Sequence, residues 1–317
     1  MATTSINYQQ ALLDCQARIK PYIHRTPILN STQLNALSGA EVFFKCENFQ
    51  RMGAFKMRGG ANAILQLTDV QRAKGVVTHS SGNFAQAIAL SARSIGVKAY
   101  IVMPSSAPQV KVEAVKGYGG EVIICEPTIE AREATAKQIE VEKGATFLHP
   151  SNDIDVIIGQ GTAALELLQD LPDLEVIMAP VGGGGLIAGS ALAARFFGND
   201  CVTYGGEPFA VDDAWRSLQS GKIEMNTSTD TIADGLRTHL GHHNFPIIQE
   251  YVKDIIRVEE EEIIHAMRLI WERMKIIIEP SCAVPFAALL REKSLFSGKK
   301  IGIVLSGGNV DLGKLPF

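Results

Sequence analysis

A chain of 317 residues, 46% hydrophobic and 20% charged, can fold around its own core without disulfides or structural metals. The formal net charge of −4 argues against nucleic acid as a partner, because phosphate binding calls for a basic surface. No apolar run of about 18 residues is present, so we expect no membrane span. The five cysteines lack disulfide or zinc spacing and the N-terminus lacks a secretory pattern, which predicts a cytoplasmic protein.

Short β-branched runs alternate with longer helical patterns, an order typical of α/β proteins with mainly parallel sheets. Several runs are apolar almost throughout, as expected for strands that helices cover on both faces. In chain order, the predicted strands are Glu41–Cys46, Gly75–His79, Ala99–Met103, Glu121–Cys125, Glu175–Pro180, Cys201–Gly206 and Lys300–Leu305. The predicted helices are Asn83–Ile95, Pro108–Gly117, Ile129–Lys143, Val156–Gln169, Leu186–Phe197 and Glu259–Met274.

One block of these units, from Gly75 to about Leu148, is compact enough to form an α/β set of its own. The remaining units could close into a larger sheet around it. We therefore predict two open, twisted α/β domains, with a small domain of residues 71–149 inserted in a large one of residues 1–70 and 150–317. Such an insertion places an active-site cleft between the domains.

A run of four glycines, Gly182 to Gly185, follows a predicted strand and precedes a predicted helix. Without Cβ atoms, the backbone N–H groups can turn towards one point at the helix N-terminus, where anions bind. The pattern favours a phosphate cradle over a flexible surface turn. It also fits the loose dinucleotide fingerprint, with Glu207 as the ribose-binding acid, which leaves a nicotinamide-dependent dehydrogenase open.

Three further loops combine glycines with a lysine or small polar residues. Residues 48–60, NFQRMGAFKMRGG, put Lys56 at the head of a helix. Residues 80–83, SSGN, and 306–309, SGGN, each follow a predicted strand. An amine nucleophile, a phosphate cradle and a few neutral donors are what pyridoxal 5′-phosphate (PLP) requires. Lys56 alone would not indicate this chemistry, because the chain has 30 lysines and arginines.

Five motifs, taken in order, resemble those of the serine racemase and threonine dehydratase family of PLP enzymes, which have the fold-type II architecture of the tryptophan synthase β-subunit. They are residues 48–60, SSGN at 80–83, GQGT at 159–162, the glycines at 182–185 and LSGGNVD at 305–311. The resemblance runs from about Ile23 to the C-terminus. It implies an enzyme with a small amino-acid substrate and suggests a homodimer.

The resemblance implies a role for individual residues. Lys56 would form the Schiff base with PLP, and Ser306 would meet the pyridine nitrogen. A hydroxyl cannot hold a full charge on that nitrogen as a carboxylate would, so the ring would be a weaker electron sink. The other implied cofactor contacts are Phe55 beside the ring, Asn83 at the ring hydroxyl, Gly182, Gly183, Gly184 and Gly185 at the phosphate, and Gly235 at the other ring face.

Ser81 is the position that bears most on the reaction type. In serine racemase-like proteins the lysine and this serine serve opposite faces of Cα, whereas dehydratases of the family often carry alanine there. Proton removal by Lys56 and return by Ser81 would give racemisation, and loss of the β-hydroxyl would give a 2-oxo acid and ammonia. The implied substrate contacts include Ser80, Ser81 and Asn83. The alternative is that Ser81 is only a small loop residue near a helix cap.

Two departures from the family pattern bear on the substrate. Phe84 stands where many relatives have histidine, so an imidazole near the substrate carboxylate or phosphate is missing. Met52 and Ala54 replace the threonine and serine of the commoner TGSFK form. The substitutions at 52 and 54 are compatible with hydroxyaspartate dehydratases.

Arg132 matches an arginine that faces the substrate in serine racemase-like proteins. A guanidinium can fork onto a carboxylate, so this residue would favour a substrate with an acidic side group. The alternative is a solvated helix arginine that pairs with Glu130 or Glu133.

Residues 207–213, EPFAVDD, resemble the divalent-cation loop of serine racemase-like proteins. Glu207 and Asp213 would give carboxylate oxygens and Val211 a backbone carbonyl, and hard oxygen ligands suit Mg²⁺ or Ca²⁺. The alternative is that Asp212 or Asp213 caps the helix that ends near Gly221. A metal role would also remove Glu207 from the ribose hypothesis.

Together these features predict PLP-dependent β-elimination of L-serine, L-threonine or L-threo-3-hydroxyaspartate to a 2-oxo acid and ammonia. Serine racemisation is a second activity that the sequence permits. Two alternatives remain open. A nicotinamide-dependent dehydrogenase would leave Lys56, Ser81 and Ser306 unexplained. A non-catalytic PLP- or amino-acid-binding protein on the same fold is disfavoured, because all the residues that the catalytic chemistry requires are present in this chain.

Overall fold

The computed structural model describes residues 6–317, which fold into two sheets flanked by helices. Within that range the strands, β1 to β10, are Ile28–Asn30, Glu41–Cys46, Val76–His79, Ala99–Pro104, Glu121–Cys125, Thr146–Phe147, Val176–Pro180, Val202–Pro208, Val252–Val258 and Lys300–Leu305. The α-helices, α1 to α14, are Tyr8–Ile19, Thr32–Ser38, Lys56–Gln66, Asp69–Lys74, Asn83–Ile95, Gln109–Gly117, Ile129–Lys143, Ile154–Asp170, Gly185–Phe197, Asp213–Ser220, Phe245–Tyr251, Glu260–Met274, Pro280–Arg291 and Lys293–Phe296.

The larger sheet has the strand order β1-β2-β10-β7-β8-β9, and the smaller one has the order β5-β4-β3-β6. Every pairing is parallel except that of the edge strand β1 with β2. The strands of the smaller sheet lie between β2 and β7 in the chain, so this sheet is an insertion in the larger one. The predicted α/β class is confirmed, while the domain boundaries at residues 70/71 and 149/150 stay a prediction.

Helices cover both faces of each sheet, as the apolar strands predict. One face of the larger sheet packs against α1, α8, α9 and α11, and the other packs against α2, α12 and α13. The smaller sheet lies between α5 and α6 on one face and α7 on the other. No helix within residues 6–317 is both long and apolar enough to cross a membrane.

Helix α3, which begins at Lys56, is fixed by close backbone contacts with α8. A Cβ atom on Gly159 would lie 2.5 Å from the Cα of Gly59, and one on Gly161 would lie 2.6 Å from the carbonyl oxygen of Gly189 in α9. Side chains at these positions would push the three helices apart. The GQGT motif at 159–162 is therefore a packing motif, which sets where α3 lies.

A buried ionic network also anchors α3. The Arg58 guanidinium contacts Glu47 at 2.7 Å and Glu166 of α8 at 2.9 Å, and Lys45 of β2 contacts Glu166 at 2.7 Å. All four side chains are at most 4% exposed. Two positive and two negative charges balance, and this balance lets the network remain ionised inside the core. The network ties the start of α3 to both β2 and α8.

Candidate active site

The loops singled out in the sequence meet at one place in the structure. The backbone N–H of Phe55 donates to the carbonyl of Ser306 at 2.9 Å, which joins the lysine segment to the SGGN loop. The side-chain amide of Asn309 donates to Met52 O and to Asn83 Oδ1, both at 2.9 Å. These contacts bring the ends of β3 and β10 to the head of α3. Open α/β folds build their sites at such carboxyl ends.

Lys56 lies at the centre of this cluster, partly buried. Its Nζ donates to the carbonyl of Pro150 at 2.7 Å and lies 5.0 Å and 5.6 Å from the ring centroids of Phe55 and Phe84. Burial lowers the pKa of the amine to about 8, and the charge of Glu279 partly opposes that shift. A substantial fraction of the amine is therefore neutral near physiological pH, as a nucleophile requires.

Phe84, in place of the usual histidine, is 2% exposed and forms one wall beside Lys56. An apolar ring there desolvates the amine, and it cannot donate a hydrogen bond to a substrate. The substitution therefore places an apolar wall beside the amine where an imidazole would otherwise stand.

Asn83, the first residue of α5, has its side-chain amide fixed by two neighbours. Its Nδ2 donates to both carboxyl oxygens of Glu279, at 2.9 Å and 3.2 Å, and its Oδ1 accepts from Asn309. An amide nitrogen carries two hydrogens, so Asn83 can offer its second Nδ2 hydrogen to a ligand. The site therefore presents a donor at this point.

Glu279 is a site residue that the sequence did not reveal. It precedes Pro280 at the start of α13, a pattern typical of an ordinary helix beginning. Its carboxyl group does not cap that helix and reaches Asn83 instead. Burial raises the pKa of this carboxyl group to about 7, although the hydrogen bond from Asn83 lowers it. An acid that can be neutral near pH 7 thus lies beside the lysine amine.

The glycine run, the predicted phosphate cradle, packs too closely against neighbouring residues to carry side chains. A Cβ atom on Gly182 would lie 2.8 Å from the Cα of Leu236, and one on Gly184 would lie 2.6 Å from Leu240 Cδ2. Gly184 has φ +81°, a left-handed conformation that suits glycine, and no side chain caps helix α9 behind it. The free N–H groups at this helix start can bind an anion such as a phosphate.

Ser306 and Gly235 flank the cradle. Ser306 directly follows β10 and is 2% exposed. The backbone N–H of Gly235 donates to Ser281 Oγ at 3.0 Å, and its carbonyl oxygen would lie 3.0 Å from a Cβ atom on Gly182. Bare backbone of Gly235 therefore packs directly against the glycine run.

The predicted substrate residues are less tightly defined. Ser80 Oγ accepts from the N–H of Gly82 at 3.4 Å, and Ser81 is partly exposed in the same turn. Arg132 Nε donates to the carbonyl of Thr128 in its own helix at 3.3 Å. Among the described residues Arg132 forms no ion pair within 4.0 Å, so it pairs with neither Glu130 nor Glu133. The substrate roles of these three residues stay predictions.

The predicted metal loop lies at the start of α10. Glu207 accepts from the N–H groups of Ala214 at 3.0 Å and Trp215 at 2.8 Å, so Glu207, and not Asp212 or Asp213, caps this helix. Its carboxylate is buried and faces protein N–H groups, which excludes the ribose-binding role.

Glu207 and Asp213 are both fully buried. Burial, and then the charge of Asp213, raise the pKa of Glu207 well above its usual value, and burial raises the pKa of Asp213 to about 7. The carboxylate oxygens of Asp213 accept from Asn226 Nδ2 and from the N–H of Leu240, so the oxygens of both acids have protein donors and a divalent cation here stays a prediction. No group of three or more His, Cys, Asp or Glu side chains that could hold a metal occurs in residues 6–317, so further ligands would be backbone oxygens or water.

An amine of low pKa, a glycine cradle for an anion and neutral donors between them define a site for a phosphate-bearing aldehyde cofactor. The chain matches the family model "Pyridoxal-phosphate dependent enzyme" over residues 19–307. It therefore belongs to the family of pyridoxal-phosphate dependent enzymes. This membership confirms the predicted family and the fold-type II class, and it removes the dehydrogenase alternative.

Similar proteins narrow the range of activities. The chain is 46% identical to a serine racemase of Dictyostelium discoideum, with 99% of this chain and 98% of that protein covered. It is 48% identical to the L-threo-3-hydroxyaspartate ammonia-lyase of Saccharomyces cerevisiae, with 95% and 93% covered. The structure of maize serine racemase superposes with a TM-score of 0.94 at 47% identity, covering 96% of this chain and 94% of that one. Elimination and racemisation are thus both activities of close relatives.

Proposed function

We propose that the protein releases ammonia from L-serine, L-threonine or L-threo-3-hydroxyaspartate and also racemises serine. The observation that carries this proposal is the Lys56 amine, with its pKa lowered to about 8, held 2.7 Å from the Pro150 carbonyl in the same site as the glycine cradle. The names of the relatives at 46% and 48% identity support both reactions.

PLP, when bound, withdraws electrons from the α-carbon of an amino acid attached to it. The residues of this chain would supply the rest. Lys56 would hold the cofactor covalently, the N–H groups of Gly182 to Gly185 would bind its phosphate, and the free Nδ2 hydrogen of Asn83 would donate to its ring hydroxyl. Ser306 would offer a neutral hydroxyl to the ring nitrogen, which would disfavour a full charge there and suit rapid loss of a β-substituent.

The assay that tests this proposal measures ammonia release and product chirality for serine, threonine and both diastereomers of 3-hydroxyaspartate. We expect ammonia from L-substrates and D-serine from L-serine, both dependent on added PLP. Catalysis of none of these reactions by PLP-loaded protein would contradict the proposal.

Ser81 should separate the two reactions. In Ser81→Ala we expect racemisation of L-serine to fall by about 10²-fold or more, because the proton donor on the second face of Cα is lost. Elimination of L-serine, which uses Lys56, should be largely retained. The control is Ser105→Ala, in an exposed turn after β4. Equal losses of racemisation and elimination in Ser81→Ala would contradict the two-face scheme.

We also propose that Glu207, Asp213 and the Val211 carbonyl hold Mg²⁺ or Ca²⁺. At a concentration hundredfold above Kd, the cation should stabilise the fold by about 2.7 kcal/mol, since it binds the folded state alone. Thermal unfolding should show this gain for wild type and for the exposed Asp230→Asn control, and not for Asp213→Asn. An undiminished response in Asp213→Asn would rule out this site. The homodimer and the cytoplasmic location stay predictions.

A further inference from the structure

We propose that His149 is a positioning residue whose unprotonated Nδ1 atom holds the turn that joins Lys56 to the glycine cradle. The inference rests on the proposed function, because that turn matters only if Lys56 and the cradle bind the same cofactor. It adds a residue that none of the sequence motifs contains.

The geometry around His149 resembles that of an Asx turn. Its Nδ1 accepts the backbone N–H of Ser151 at 3.2 Å and that of Asn152 at 2.8 Å. In an Asx turn, an asparagine or aspartate oxygen accepts from the N–H two residues further on. The imidazole therefore closes residues 149–152 into a fixed turn through a single acceptor atom.

This turn contacts both halves of the site. On one side the carbonyl of Pro150 accepts from Lys56 Nζ at 2.7 Å. On the other, the side chain of Ser151 occupies the space that a Cβ atom on Gly183 would need. Asn244 ties the two together, because its Nδ2 donates to Ser151 O at 3.0 Å and to Gly183 O at 2.8 Å. A shift of the turn would therefore move two groups together: the carbonyl that accepts from Lys56 and the side chain that packs against Gly183.

The turn requires a neutral imidazole, since a protonated Nδ1 cannot accept a hydrogen bond. The charged or titratable groups that face His149 are His79 at the end of β3, Lys56 of α3, and His239 and His242 from the segment before α11. Burial first, and then these four groups, lower the pKa of His149 to about 4. Each of these four groups thus favours the neutral imidazole, whose Nδ1 can accept hydrogen bonds.

The sign of the resulting pH dependence follows from this lowered pKa. An unfolded histidine has a pKa of about 6.5, so between that value and about 4 the unfolded chain binds more protons at this residue. The stabilisation by His149 is fully present above about pH 6.5 and is lost as the pH falls towards 4.

Three variants test the role. His149→Leu removes the acceptor, His149→Asn supplies an amide oxygen close to the position of Nδ1, and His265→Leu removes an exposed histidine of α12 as the matched control. The measurements are the Kd for PLP, the pH at which bound PLP is lost, and kcat and KM for L-serine. We expect His149→Leu to bind PLP about 10-fold or more weakly, because two partly buried N–H groups lose their acceptor.

His149→Asn should bind PLP with nearly the wild-type Kd, and it should keep the cofactor to lower pH than wild type, because its acceptor does not titrate. A PLP affinity of His149→Leu equal to that of His265→Leu would overturn the inference. So would a His149→Asn variant that folds but binds PLP as weakly as His149→Leu. Failure of wild-type protein to bind PLP would instead contradict the proposed function. Failure of the His149 inference and failure of the proposed function can therefore be distinguished.

Discussion

Replacing Lys56 by alanine is expected to reduce ammonia release from every substrate by at least about 10³-fold, since the amine serves both as the covalent anchor of the cofactor and as a proton acceptor. The visible absorption of the protein–cofactor complex should change as well, because PLP would then be held by the cradle alone. Ammonia release is measured by a coupled assay at saturating PLP, and the absorption is recorded on the same sample.

The matched control is Lys143→Ala, at the exposed end of α7, which should retain wild-type activity. Thermal unfolding of both variants without PLP separates a chemical loss from a folding defect. Ammonia release by Lys56→Ala at a rate similar to that of the control would show that another residue performs the chemistry. It would also leave a cofactor-binding protein without this catalysis as the better description.

We expect Arg58→Met to lower the free energy of unfolding more than any other substitution proposed for this chain. Methionine fills much of the same volume but leaves the buried carboxylates of Glu47 and Glu166 with Lys45 as their only cation. Breaking a buried ionic network in this way is expected to lower the free energy of unfolding by about 3–5 kcal/mol. Denaturant unfolding of the protein without PLP measures this directly.

Arg25→Met is the matched control, because Arg25 contacts Asp170 at the same 2.7 Å distance but with side chains 50% and 44% exposed. Exposed pairs are screened by water, so this change should cost less than about 1 kcal/mol. Similar losses in the two variants would mean that burial does not govern the network. Because Arg58 lies two residues from Lys56, weaker PLP binding by the folded part of the Arg58→Met sample is also expected.

The chemistry of the site was predictable where local sequence determines it. A run of four glycines between a strand and a helix favours an anion site at the helix N-terminus, and the lysine behind a glycine turn lies at the head of α3. All seven predicted strands and all six predicted helices are present, with ends that differ by at most two residues. Long apolar runs and clear helix boundaries account for this agreement.

Strand β9 and helix α13 were not predicted, for physical reasons that are visible in the structure. Lys253, Asp254 and Arg257 interrupt the apolar pattern of β9, which an edge strand tolerates because it pairs on one side with β8. Helix α13 contains Pro285, a residue that argues against a helix interior. Its burial in the core against β8 stabilises the helix despite this proline.

Glu279 and His149 were missed because tertiary contacts alone define their roles. Glu279 is 196 residues from Asn83, to which it is hydrogen-bonded, and Pro150 is 94 residues from Lys56. No local pattern distinguishes a glutamate that caps a helix from one that turns into a cleft. The sequence therefore predicts the segments that would hold a cofactor. The roles of Glu279 and of the turn that contains His149 and Pro150 are visible only in the folded structure.

The covalent attachment of PLP to Lys56 is the claim on which the rest depends. Borohydride reduction of the PLP-loaded protein fixes the cofactor to whichever lysine holds it, and peptide mass spectrometry after proteolysis then locates the added mass. We expect that mass on the peptide containing Lys56, and its loss in Lys56→Ala. Attachment to a different lysine, or an unmodified protein after reduction, would contradict it.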